Sequence, residues 1–400
     1  MDSTRHGEDV SGRPFGPVFC AAVRLHDGRT GELREVEIRP RMGLYVCGIT
    51  PYDAAHLGHA FTYVQFDVLV RYLRHLGADV VHVQNITDVD DDILRIARER
   101  DVSYLELADR EVKAFDSAMR ALGVTAPTMS PRATDYTPSI VVEVNALVAA
   151  GHGYERNGTV YFRVSSDPQY GRLSGLSRDE MVRLAAERGG RPEDPAKDDP
   201  LDFVLWQRSE EGEPWWESPW GRGRPGWHIE CSTMALRLLG RPVDIHGGGS
   251  DLVFPHHECE LAQAEGAPGG EEAPFVLHWM HTGMVSLEGT KMSKSLGNLA
   301  FIDDLLERHE PAAVRCLLLQ HHYRDDWDFQ EEMLVAEPYR DELAEFSPKG
   351  LRSRFFEALD DDLDTPTALR IWEYAERHRE GDPQWRNLAD EGRAILGMDL

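Results

Sequence analysis

The short apolar run "LYVCGI" (44–49) and the alternating run "DVVHVQNIT" (79–87) flank the stretch "GHAFTYVQFDVLVRYLRHLG", in which apolar residues return every three or four positions. The runs read as strands and the stretch between them as a helix stopping near Gly77, where a C-terminus is expected. Strand, helix and strand within residues 44–87 make a βαβ unit, and hence a parallel sheet. Helical spacing resumes over about 104–121 and 138–150. Between about 151 and 225 the pattern breaks into the strand-like "GTVYFRV" and the Pro-, Gly- and charge-rich "GGRPEDPAKDDP" and "EEGEPWWESPWGRGRPG", as expected of an insertion with mobile connections. "VDIHGGGSDLVFPHHE" (243–258) returns to a strand followed by a turn, "FVLHWMHTGMV" (275–285) reads as another buried strand, and from Ile302 onward the spacing is helical. Residues 1–14 are polar and expected to fray, and no internal repeat appears.

The expected architecture is α/β: a Rossmann-like parallel-sheet domain, an α/β insertion and a C-terminal helical region. The units are expected at 1–130 (first half of the sheet domain), 131–224 (insertion), 225–300 (second half) and 301–400 (helical region). A chain of 400 residues has room for more than one core.

Charge narrows the partners. With 43 basic and 70 acidic residues the net charge is −27, which works against generic attraction to phosphate backbones, and no Lys/Arg run offers a local basic patch. Five scattered cysteines do not suggest a disulfide framework. The N-terminus lacks a signal pattern and no window resembles a membrane span, so a soluble, cytoplasmic protein with no membrane partner is expected.

Two motifs concentrate chemistry. In "CGITPYDAAHLGHA" (47–60), His56 and His59 sit where a strand runs into a helix, so free backbone N–H groups and the helix dipole favour an anion there. An isolated pair of this kind reads better as two partly exposed histidines at a helix start, and its i,i+3 spacing lacks the i,i+4 geometry of the helical zinc motif. In "KMSKSLGN" (291–298), Lys291 and Lys294 are two of only five lysines in the chain, placed on a small-residue loop suited to a triphosphate that loses pyrophosphate.

"HLGH", "HGGGSD" and "KMSKS", in that order, resemble the catalytic domain of class I aminoacyl-tRNA synthetases. The resemblance implies that the two signatures grip ATP phosphates and the glycine-rich turn seats the adenosine. "PGWHIECSTMA" (225–235) and "FPHHECE" (254–260) are similar to the cysteinyl branch. This implies a Zn²⁺ site of Cys47, Cys231, His256 and Glu260, which would take the thiolate of substrate cysteine and reject serine.

A closer resemblance is to the cysteine:glucosaminyl-inositol ligases of mycothiol biosynthesis, carried by "CGITPYDAAHLGHA", "ERGGRP" (187–192), "GRPGWHIEC" and "DDLDTPTAL…ILGMDL". It implies catalytic His56, His59, Lys291 and Lys294, and a cysteinyl-adenylate pocket of Cys47, Gly48, Ile49, Thr50, Thr62, Asn85, Ile86, Thr87, Trp227, Gly249, Ser250, Asp251 and Val285. Trp227 reads equally as an aromatic core plug. Arg191 replaces the aspartate usual in "ERGGDP", while Glu260 and "KMSKSLGN" are worded as in the tRNA enzyme.

The expected reaction is attack of the cysteine carboxylate on Mg·ATP, giving cysteinyl-AMP, followed by transfer to an amine, with L-cysteine, ATP and an amino sugar as partners. A base among Asp53, Asp251 and His228 would take the amine's proton. The chain stops about 100 residues past "KMSKS", short of an anticodon-binding portion, and with its charge and the absent basic patch this leads to the expectation that tRNA is not the acceptor; a monomer is expected. Another small amine acceptor, a truncated tRNA synthetase and a non-catalytic nucleotide-binding descendant stand as alternatives.

Overall fold

The computed structural model describes residues 23–270, 272–292, 297–334 and 342–400. The frayed segment expected at 1–14 and Lys294 lie outside them.

The central sheet has four parallel strands in the order Val276–Thr282, Val243–Gly249, Arg41–Ile49, Asp79–Ile86. The strands are buried almost without interruption because helices cover both faces. Side-chain alternation decides what each face receives. Leu44, Val46 and Ile245 point into the large core that holds Phe61, Val64 and Val68 of the helix Leu57–His75. Tyr45 and Cys47 point the other way, into a core with Cys231 and Met234 of the helix Trp227–Leu239. Strand period alone thus delivers Cys47 to the face where Cys231 waits.

From strand Arg41–Ile49 the chain moves to one neighbour, Asp79–Ile86, and later to the other, Val243–Gly249. The gap between Arg41–Ile49 and Val243–Gly249 is therefore a topological switch point, whose carboxyl ends form the crevice that open α/β sheets use for ligands.

Residues 153–225 carry a second sheet, antiparallel, of strands Gly153–Arg156, Thr159–Phe162, Phe203–Arg208 and Gly223–Pro225. Its core holds Val160, Phe162, Leu205 and Trp206 against Ile140 and Val144. The broken sequence pattern conceals the helix Arg178–Glu187, started by a capping box of Ser177 and Glu180. Another helix begins earlier than its apolar spacing suggests, spanning Ala133–Ala149 with Pro138 inside it. Asp88 anchors this helix start, accepting from the Thr134 N–H at 2.9 Å and the Thr134 hydroxyl at 2.7 Å.

Beyond Ile302 the chain is mostly helical, with Pro311–Leu319, Pro348–Asp360, Thr365–His378 and Pro383–Leu396 each opening on or next to a proline. Among the described residues one strand interrupts this region: Trp327–Phe329 pairs in parallel with Val285–Leu287. A buried ion pair, Arg315 to Asp67 at 2.7 Å, fastens the helical region to the first sheet helix. Among the described residues no helix is long and apolar enough to cross a membrane.

Candidate active site at the carboxyl ends of the sheet

Four donors meet at the switch point. Cys47 lies near the end of its strand, Cys231 on the helix Trp227–Leu239, His256 on the irregular turn Val253–His257, and Glu260 on the helix Glu258–Gly266. Their ligand atoms all lie within 4.8 Å of one another and all four residues are buried. His256 Nε2 is 3.1 Å from Glu260 Oε1, and the Cys47 Sγ is 3.5 Å from the same oxygen. The other carboxylate oxygen, Oε2, is buried with no hydrogen-bond partner among the described residues, His246 Nε2 standing 3.5 Å away. Burial pushes the Glu260 carboxyl and the Cys47 thiol well above their ordinary ranges, the neighbouring Cys231 raising the thiol further. Such a cluster is costly as anions without a cation. Two thiols, an imidazole and a carboxylate in this span fit a tetrahedral cation site.

Sequence reasoning missed a second set. Cys47, His246, His257 and Glu260 meet the same distance limit. His257 Nε2 is 3.3 Å and His246 Nε2 3.6 Å from the Cys47 Sγ. His281 continues the chain at 2.8 Å from His257, and His228 lies 2.9 Å from His256. The signal was present in the "HH" pair and in histidines repeated on adjacent strands, but single histidines on buried strands are poor evidence until the sheet aligns them.

The other residues expected in the pocket are placed as follows. Gly48 N–H donates to Asn85 Oδ1 at 2.8 Å, Asn85 Nδ2 donates to the Thr87 hydroxyl at 3.2 Å, and Thr87 N–H donates to the Ile49 carbonyl at 3.0 Å. The 47–50 and 85–87 segments, Ile86 included, are thereby stitched together. A β-carbon on Gly48 would stand 1.6 Å from the Asn85 carbonyl oxygen, so only glycine allows this approach. Thr62 and Thr282 hydroxyls are 2.8 Å apart, and Trp227 stacks obliquely on the His256 ring at 4.2 Å. Gly249 leads into the short turn Ser250–Leu252 that carries Ser250 and Asp251. Arg188, from the "ERGG" stretch, donates to the backbone carbonyls of Asp251 and Phe254, tying the insertion to this turn. Val285 is buried in the large core, on the small three-stranded sheet.

His56 caps the first sheet helix: its Nδ1 accepts the Gly58 N–H at 3.1 Å, and its ring stacks on His59 at 3.7 Å. Backbone bonds from Leu57 N–H to the Ala300 carbonyl (2.8 Å) and from Ile302 N–H to the Ala55 carbonyl (2.9 Å) bring the chain after the lysine signature beside this turn. Lys291 ends the short strand Thr290–Lys291. Of the bases considered, His228 faces His256 inside the donor cluster, and Asp53 lies 3.8 Å from Arg100.

A parallel sheet with a buried donor cluster and a histidine-capped helix at one switch point defines a catalytic domain of the class I synthetase type. The chain belongs to the family of tRNA synthetases class I (C) catalytic domain, whose pattern matches residues 34–337. It is 47% identical over 396 residues to the L-cysteine:1D-myo-inositol 2-amino-2-deoxy-alpha-D-glucopyranoside ligase of Thermomonospora curvata, covering 94% of each chain. It is 43% identical over 378 residues to the Cysteine--tRNA ligase of Trichlorobacter lovleyi, covering 87% of this chain and 76% of that one. Methionyl-tRNA synthetase from Mycobacterium tuberculosis, solved with methionyl-adenylate, shares the fold at 18% identity, with a TM-score of 0.64 over 90% of this chain and 88% of that one.

Proposed function

We propose that this protein joins L-cysteine to the amine of an amino sugar, glucosaminyl-inositol, through cysteinyl-AMP, consuming ATP and releasing AMP and pyrophosphate. The observation that carries the reading is the buried cluster of Cys47, Cys231, His256 and Glu260 at the carboxyl ends of the sheet, beside the histidine-capped helix start. Zn²⁺ suits that donor set, and when bound it supplies a soft-tolerant position for the sulfur of cysteine that serine's hydroxyl fills poorly. Trp227, against the His256 ring, walls the side-chain end of the pocket. The Gly48 to Thr87 stitch holds the carboxylate end, and the 249–251 turn seats the adenosine. His56, His59, Lys291 and Lys294 hold the phosphates of Mg·ATP as pyrophosphate leaves. Positioning and charge stabilisation accomplish adenylation without a protein nucleophile.

The acceptor assignment draws on the identity to the amino-sugar ligase and on a net charge of −27, which disfavours a polyanion. A tRNA acceptor is the second reading, favoured by the 43% identity to a cysteine–tRNA ligase. The units 1–130, 131–224, 225–300 and 301–400 are proposed as first catalytic half, insertion, second half and helical support. Incubation with ATP, labelled cysteine and a panel of amines that includes tRNA tests the reading. Labelled amide on glucosaminyl-inositol is expected; label in tRNA, or on another amine alone, replaces the acceptor.

A further inference from the structure

The transfer step needs a group to take the amine's proton, and the neighbourhood of the pocket supplies one that no motif marks. Asp90 follows the "NITD" end of strand Asp79–Ile86 and caps the helix Asp91–Glu99, its Oδ1 accepting the Ile93 N–H at 2.8 Å. Its other oxygen, Oδ2, accepts from the Thr50 hydroxyl at 3.3 Å. Thr50 is the residue after Ile49, at the mouth of the crevice where the proposed adenylate carbonyl would lie. Asp90 thus reaches the pocket through one hydroxyl, whereas His228 is engaged with His256.

We propose that Asp90, acting through the Thr50 hydroxyl, accepts the proton released when the acceptor amine attacks cysteinyl-AMP. This rests on the proposed function. The amine nitrogen forms a bond to the carboxyl carbon, and the bond from that carbon to the phosphate oxygen breaks, AMP leaving with the electron pair. The nitrogen's surplus proton passes to the Thr50 oxygen as the Thr50 proton passes to Asp90, which ends as a neutral acid and returns its proton to water. Asp90 is a positioning and proton-holding residue; Thr50 is the group that meets substrate.

The surroundings suit the task. Burial pushes the Asp90 carboxyl up to about 7; the Ile93 N–H pulls against this, and Asp92 and Asp91 of its own helix add to it. Across from the helix stand Thr50 and Tyr52, and from the helix Trp227–Leu239 comes Glu230, which feels Asp90 and Asp88 as like charges. A base near neutrality is matched to an amine that must lose a proton at physiological pH.

The test separates the two half-reactions in Asp90→Asn, Asp90→Glu and Thr50→Val. Asparagine is as good an N-cap as aspartate, so the helix start survives the first change. Cysteine-dependent pyrophosphate exchange reads adenylation; single-turnover transfer from preformed cysteinyl-AMP to glucosaminyl-inositol reads the second step. In Asp90→Asn, transfer should fall by about 10²-fold or more relative to exchange, the magnitude of a lost general base. The rise of wild-type transfer through a pH of about 7 should disappear, leaving the amine's own ionisation. Asp90→Glu should restore part of the rate and the pH dependence, and Thr50→Val, which also alters the adenylate pocket, should abolish the pH-dependent rise in transfer whatever its effect on exchange. Equal losses in both steps, or an unchanged pH profile in Asp90→Asn, overturn the proposal while the function stands. Absence of cysteine-dependent exchange in the wild type overturns both.

Discussion

Replacing Asp67 with asparagine perturbs the joint between the first sheet helix and the helical region. Arg315 is fully buried, and its three nitrogens donate to the Leu396 carbonyl, the Leu122 carbonyl and Asp67 Oδ2, each at 2.7 Å. Among the described residues only Asp67 pairs with it; Arg71 also donates to Asp67, at 2.8 Å, adding positive charge. Asparagine keeps an acceptor but leaves the guanidinium uncompensated in a dry site, a loss of roughly 3–5 kcal/mol. The pH dependence has a definite sign. Burial pushes the Asp67 carboxyl up, but Arg315, Arg71 and the Thr125 N–H outweigh it and hold it below the ordinary range. A depressed carboxyl contributes stability that is present above its unfolded value, about 4, and lost as pH falls through the folded one. The gap between wild type and Asp67→Asn, read by denaturant unfolding at pH 7, should therefore narrow at progressively lower pH. A gap below about 1 kcal/mol at pH 7, or one that widens on acidification, refutes the account of this pair.

Three further outcomes follow from the site. Gly48→Ala should destabilise by about 3 kcal/mol or more and nearly abolish pyrophosphate exchange, because its β-carbon meets a backbone oxygen that moves only with its strand; a normal melting curve contradicts this. Lys294→Ala should lower exchange by about 10²-fold while cysteine binding, followed calorimetrically, stays within a few-fold; normal turnover removes the loop from the chemistry. Cys231→Ala should lose both metal and most adenylation, and retention of metal through His246 and His257 would point to the second donor set.

The parallel sheet was legible because "LYVCGI" is an apolar run, "DVVHVQNIT" alternates, and Leu57–His75 between them keeps its spacing over 19 residues. The helix Arg178–Glu187 was not: it lies between Pro-, Gly- and charge-rich stretches, and only Met181 and Ala185 of it are buried. The strand Trp327–Phe329 was hidden by brevity, being three residues long and paired with a distant segment. At the site, only His256 and Glu260 are related by local spacing, at i,i+4; Cys47 and Cys231 could be joined to them only by resemblance, since they come from distant elements. His246 and His257 escaped for the same reason, and Asp90 because a carboxylate at a helix start ordinarily signals nothing beyond a cap.

The central claim is that a metal held by the buried cluster selects the substrate by its sulfur. The most direct test measures bound zinc by elemental analysis on the purified protein and, in the same preparation, pyrophosphate exchange with cysteine and with serine. One equivalent of zinc, exchange lost on chelation and restored by Zn²⁺, and a preference for cysteine of several orders of magnitude are expected. A metal-free protein that is fully active, or one that exchanges equally well with serine, contradicts the account.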